Sequence, residues 1–162
     1  MQVKLYKPQN ILLKQCIECF YTLQRRPEDE SVTYTAFPSI FSMVCLNSDA
    51  NIEVLGDNLT FKYCLQDKLE TRWVSNFGHS GRIRYEGAAN EMVIYFKPLG
   101  LNAFLEKDLK NYMGISFVKF DPFADYQSAM TNIFSIDDNA AKIEALEDYW
   151  LSKYIGFEHP FL

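Results

Sequence analysis

The stretch that decides the fold runs Asn76-Phe-Gly-His-Ser-Gly-Arg-Ile-Arg-Tyr-Glu-Gly87, then Met92-Val-Ile-Tyr-Phe-Lys-Pro-Leu-Gly100, then Leu101-Asn-Ala-Phe-Leu-Glu-Lys-Asp-Leu109. Alternating apolar residues on either side of Gly87 predict two sheet strands. Pro98 fits the second position of a type I turn closed by Gly100, and Leu101, Phe104 and Leu105 restart with helical spacing. Strand, turn, strand, tight turn and helix follow one another with no nucleophile, metal cluster or phosphate loop among them. That pattern points to a binding domain rather than an enzyme.

Short extended segments precede this stretch. Ile11, Leu12 and Ile17 share a helical face, and residues 19–23 then look extended. Residues 25–31, Arg-Arg-Pro-Glu-Asp-Glu-Ser, are charged and broken by proline, which predicts a solvated loop. Residues 33–37 and 39–46 read as strands separated by the Phe37-Pro38 step, where proline forces the preceding residue to be extended. A turn at 47–51 leads to further strands at 52–55, 60–65 and 71–77. Strands this short, with turns every 8 to 12 residues or so, predict a barrel or a sandwich.

Beyond Lys110 the period changes. Asp121 can cap and Pro122 can take the first position of a helix reaching residue 134, with Met130, Ile133 and Phe134 inward. A second helix begins near Asp137-Asp138, whose carboxylates suit the positive end of a helix dipole, and ends around Gly156. Ile143, Leu146, Trp150 and Tyr154 form one stripe along it, a candidate dimerisation face that could equally pack on the sheet within one subunit.

Composition bounds what the chain can do. Its 162 residues suit one core, and the 15% aromatic share favours strands and aromatic-lined cavities. A net charge of -5 leaves no obvious source for the phosphate neutralisation that nucleic-acid binding needs. No run approaches the roughly 20 apolar residues of a membrane span, and no signal-length apolar segment opens the chain, so the expectation is a cytoplasmic protein with no membrane partner. Cys16-x-x-Cys19 lacks a second close pair, and His79 and His159 have no ligand spacing to it, so neither a metal nor a cofactor is expected.

The candidate ligand-binding residues come from strand alternation. Phe41, Met43 and Cys45 share one face while Ile40, Val44 and Leu46 take the other; Trp73 and Tyr95 alternate in the same way. Either set could line a cavity or simply fill the interior. His79, held between glycines in a loop, is a further candidate for ligand contact. Arg82 and Arg84 share a strand face and could bind an anion, or could lie on a solvated surface. Glu86 and Glu91 are read as surface carboxylates. Serine-hydrolase, Walker and dinucleotide signatures are absent, so no catalytic residue is assigned. A metal-independent isomerase using His79 with Tyr85 or Tyr95 is the enzymatic alternative.

Three places give the chain a likeness to a known family. They are Tyr6-x-Pro8 with Leu12, Leu13, Ile17 and Phe20-Tyr21-x-Leu23; Phe37-Pro38 before the apolar strand at 39–46; and Phe77-Gly78-His79 through Gly87 to Phe96-Lys97-Pro98-x-Gly100 and Phe104-Leu105. In this order they resemble the N-terminal regulatory domain of AraC-type transcription regulators. Leu99 departs from the pattern, standing where that family's segment has its first glycine. The resemblance implies an effector-sensing domain of α+β class, mainly β: a cupin-like barrel or sandwich of short strands over residues 1–120, followed by a helical pair over 121–162 that packs on it. It also implies a small-molecule effector and DNA contact only through a helix-turn-helix part outside this chain, since the twelve residues after Trp150 are too few for such a unit; a candidate homodimer rests on the stripe of the second helix.

Overall fold

The computed structural model describes residues 1–65, 68–75, 80–106 and 117–157. His79 and His159, together with residues 107–109 of the opening stretch, lie outside them. Among the described residues, ten strands form two sheets. The larger has six, β1 (Gln2–Tyr6), β2 (Ile17–Arg25), β9 (Ala89–Phe96), β4 (Ser42–Ser48), β7 (Glu70–Ser75) and β10 (Phe117–Lys119), in that spatial order. The smaller has four, in the order β3 (Val32–Ala36), β8 (Gly81–Glu86), β6 (Asn58–Tyr63) and β5 (Ala50–Leu55). Pairing is antiparallel throughout except between β6 and β8. The architecture is mainly β with C-terminal helices, as the alternation predicts, but it is a sandwich and not a closed barrel: β1 and β10 end one sheet, β3 and β5 the other.

Because side chains alternate across a strand, the six-stranded sheet has two inner faces of different kinds. Phe20, Val44, Leu46, Trp73, Met92, Ile94 and Phe96 point one way and pack with α1 (Ile11–Cys16), α2 (Tyr126–Phe134) and α3 (Asn139–Ser152) in one apolar cluster. Leu23, Cys45, Val74, Ala89, Val93 and Phe117 point the other way, against Ile52, Leu59, Phe61 and Tyr85 of the small sheet.

Local chemistry fixes the helix ends. Asn10 caps α1 by accepting from the Leu12 N–H at 2.8 Å, and Asp138 caps α3 by accepting from Ala141 at 2.8 Å. The first C-terminal helix starts later than Pro122 suggests: residues 121–125 bend, and α2 begins at Tyr126. The turn after β9 also differs from the expected type I. Gly100 N–H donates to Lys97 C=O at 2.8 Å, but Leu99 at φ 61°, ψ -1° is left-handed, the geometry of a type II turn. Leu99 thus adopts the backbone conformation that glycine takes without strain. Gly100 is needed for another reason, since a Cβ there would lie 2.0 Å from the Cys16 carbonyl oxygen. Within the described residues, the helix expected after it is one 3₁₀ turn, Gly100–Ala103.

The charged stretch 25–31 is not solvated throughout. Arg25 is buried and its guanidinium donates to the carbonyls of Gly87 at 3.2 Å and Glu30 at 2.6 Å, tying two connections together. Arg82 and Arg84 do lie on the exposed face of β8, where Arg84 pairs with Glu86 at 2.7 Å.

Candidate functional site

Between the sheets, toward the end where β4 begins and β9 ends, lies a cavity of about 220 Å³. Phe41, Met43, Cys45 and Tyr95, four of the five residues read from the alternation, line it together. They meet there because the register sets Met43 opposite Tyr95 and Cys45 opposite Val93, so the inward positions of β4 and β9 lie side by side. The Phe41 and Tyr95 rings stack with centroids 5.1 Å apart. Tyr21 of β2, Tyr34 of β3 and Phe61 and Tyr85 of the small sheet add further aromatic surface.

Trp73 does not join them. It is one residue out of phase with Val74, which does line the cavity, and it faces the helices instead. His79 lies outside the described residues. Ile143, Leu146 and Trp150, read as a candidate dimerisation stripe with Tyr154, are buried against the sheet, with Trp150 fully enclosed and 5.2 Å from the Phe96 ring. Those three side chains pack inside the subunit, the intramolecular alternative the stripe left open; Tyr154 remains half-buried beside Phe104.

Burial deepens along the strands. On β4 it increases from Met43 to Cys45, and on β9 from Tyr95 to Val93 and Glu91. Phe37, at the rim, is 74% exposed. Glu91 forms the floor. At 3% exposure it is a buried carboxylate, not the surface residue expected from sequence. Its side chain accepts a hydrogen bond from the Tyr85 hydroxyl at 2.5 Å and another from the Cys45 thiol. No lysine, arginine or histidine is among the described residues lining the cavity.

No family model, curated protein or solved structure matches this chain. What the site does must therefore follow from its own geometry.

Burial pushes the Glu91 carboxyl up to about 7, and the hydrogen bonds from Tyr85 and Cys45 offset only part of that desolvation. Burial also raises the Tyr85 hydroxyl and the Cys45 thiol, and the Glu91 charge raises both further. Near neutral pH these two groups hold their protons, so Cys45 is a poor nucleophile and Tyr85 a hydrogen-bond donor. Cys16, at the end of α1, is likewise raised by burial, to about 11. Among the described residues, no group of three His, Cys, Asp or Glu side chains is placed to hold a metal ion, and no described helix is long and apolar enough to cross a membrane.

Two larger hollows, of about 500 and 630 Å³, lie elsewhere. The first is lined by Phe104, Phe123 and the ion-paired Asp125 and Lys153; the second runs between residues 6–10 and α3. Neither brings together the residues chosen from the strand alternation.

Sequence reasoning missed Glu91 by reading it as a surface carboxylate. The signal was present: Glu91, Val93 and Tyr95 are in phase, so an inward Tyr95 carries Glu91 inward with it.

Proposed function

We propose that this chain is an effector-sensing domain that binds a small molecule between its two sheets, and that it belongs to a transcription regulator of the AraC type whose DNA-binding part lies outside the sequence. The observation that carries the binding half is the convergence of Phe41, Met43, Cys45 and Tyr95 on one cavity above a buried carboxyl. A mostly apolar, aromatic hollow with few convergent polar groups is the usual form of a small-ligand site. The regulator half rests on the sequence resemblance.

Strand β9 offers a route for the signal. Tyr95 faces the cavity, while its neighbour Phe96 packs under Trp150 of α3. A ligand that moves β9 therefore acts on the last described helix through one residue. Such a relay works only if the ligand binds two arrangements of α3 with different affinity.

The test is a thermal-shift screen of small metabolites against the wild type and Val74→Phe, a variant whose larger ring occupies the cavity. A ligand at a hundred times its Kd should stabilise the wild type by about 2.7 kcal/mol. The variant should not respond. Equal shifts in both proteins would place binding elsewhere and overturn the reading.

A further inference from the structure

Glu91 sets a chemical condition on whatever enters the cavity. A carboxylate removed from water without a countercharge costs several kcal/mol, and a partner cation recovers much of that cost. The groups facing Glu91 do not supply one. Leu23 on β2 and Asn47 on β4 lie directly opposite it in the sheet, Tyr85 on β8 and Cys45 on β4 donate to it, and Tyr21 on β2 and Tyr34 on β3 lie near, none of them a cation; the cavity wall adds Phe61, Val74, Tyr95 and Phe117. Arg25 lies with its guanidinium 5.9 Å from the Tyr85 ring centroid, but its N–H groups are directed to the carbonyls of Gly87, Asp29 and Glu30.

The remaining wall is aromatic. Ring faces attract cations electrostatically, most strongly where water is excluded, and quaternary ammonium groups are recognised by cages of this kind. A volume of about 220 Å³ equals the liquid share of about seven waters, which limits the guest to a compact molecule.

We propose that the cavity binds a compact organic cation of about the size of choline, its charge on the Glu91 carboxylate and its alkyl groups against the tyrosine and phenylalanine rings. This inference rests on the reading of the cavity as a ligand site. It narrows that site to amines and quaternary ammonium compounds and disfavours sugars and fatty acids, which bring no positive charge to the carboxyl.

The proton on Glu91 and the cation compete for the same carboxylate. Below the carboxyl's raised pKa of about 7, affinity should fall as the carboxylate fraction does, about tenfold per pH unit; above it, affinity should level off. Neither Tyr85 nor Cys45 adds a step in that range, since both are shifted upward.

The experiment is calorimetric titration of the full chain with choline and with 3,3-dimethylbutan-1-ol, its neutral isostere, between pH 5.5 and 8.5. At pH 8 choline should bind at least tenfold more tightly than the alcohol, and the preference should shrink toward pH 5.5. Glu91→Gln should remove the preference while leaving the affinity for the alcohol within a few-fold. Should that variant not fold, the wild-type pH profile with the two molecules gives the same answer.

Equal affinity for the two molecules at pH 8 would overturn the cation and leave the ligand site standing. A preference that survives in Glu91→Gln, or that does not change with pH, would also overturn it. Binding of neither molecule at millimolar concentration would overturn it too, and the ligand site would then be judged by the screen against Val74→Phe.

Discussion

The two faces of the six-stranded sheet are built from the same strands and have opposite characters. Toward the helices, Phe96, Phe104, Phe123, Tyr126, Tyr149 and Trp150 interlock, mostly edge to face, around side chains that are wholly buried. Toward the small sheet, the same strands surround a hollow with a carboxyl on its floor. Close packing gives the first face rigidity and a definite helix position. Incomplete packing leaves the second face room for a guest. The difference suggests that stability is concentrated on one side of the sheet and recognition on the other.

Removing the centre of the packed side should cost the most. Trp150→Ala should destabilise the fold by about 3–5 kcal/mol in urea unfolding, as large buried aromatics do when truncated. A loss under 1 kcal/mol would mean that the helix layer does not anchor the sheet.

Next is the carboxyl on the other side. The folded state holds the Glu91 proton up to about pH 7, whereas the unfolded chain releases it near the ordinary value of 4.5. The folded state therefore binds more protons between those limits, and wild-type stability should decline as pH rises through that window and then level off, relative to Glu91→Gln. The decline should be on the order of 3 kcal/mol. Parallel pH profiles for the two proteins would mean that Glu91 ionises normally.

A matched pair of enlargements contrasts the faces directly. Val44→Phe adds a ring on the helix side, where there is no space, and should cost about 1–3 kcal/mol. Val74→Phe adds the same ring on the cavity side and should lie between no change and a gain of about 1 kcal/mol. Equal losses in thermal unfolding would mean that the hollow is not there to be filled.

The smallest effect concerns the joint between the faces. Leu99 is exposed and left-handed, a conformation costing an ordinary residue about 1–2 kcal/mol, so Leu99→Gly should raise stability by about 0.5 kcal/mol after glycine's own entropy cost.

Much of this arrangement was legible in the residues. The phase of Phe41, Met43 and Cys45 was read correctly because alternation alone fixes which side chains share a face. β4 begins at Ser42 rather than Ser39, since the Ser39 hydroxyl accepts the Phe41 N–H at 3.1 Å and holds a turn there. Asp138 announced its helix because capping is local chemistry. Trp73 was misassigned because which face of a strand is inward depends on register with its neighbours, and register is set across the sheet; Glu91 was misassigned although its phase with Tyr95 lay in the sequence. β1 went unrecognised although Gln2, Val3, Lys4 and Leu5 alternate polar and apolar; all four are exposed, so that alternation marks no buried face. Arg25 looked solvated because nothing nearby in sequence reveals the Gly87 carbonyl it meets.

The order in which the strands are visited has a consequence for how the molecule forms. From β2 to β9 the chain passes from one sheet to the other at nearly every connection, and only the β5–β6 hairpin stays within a sheet. Neither half can then assemble by itself, so few native pairings are available early and collapse must precede most of them. Refolding on the order of milliseconds to seconds, slow for a chain this short, is the kinetic signature of such interleaving.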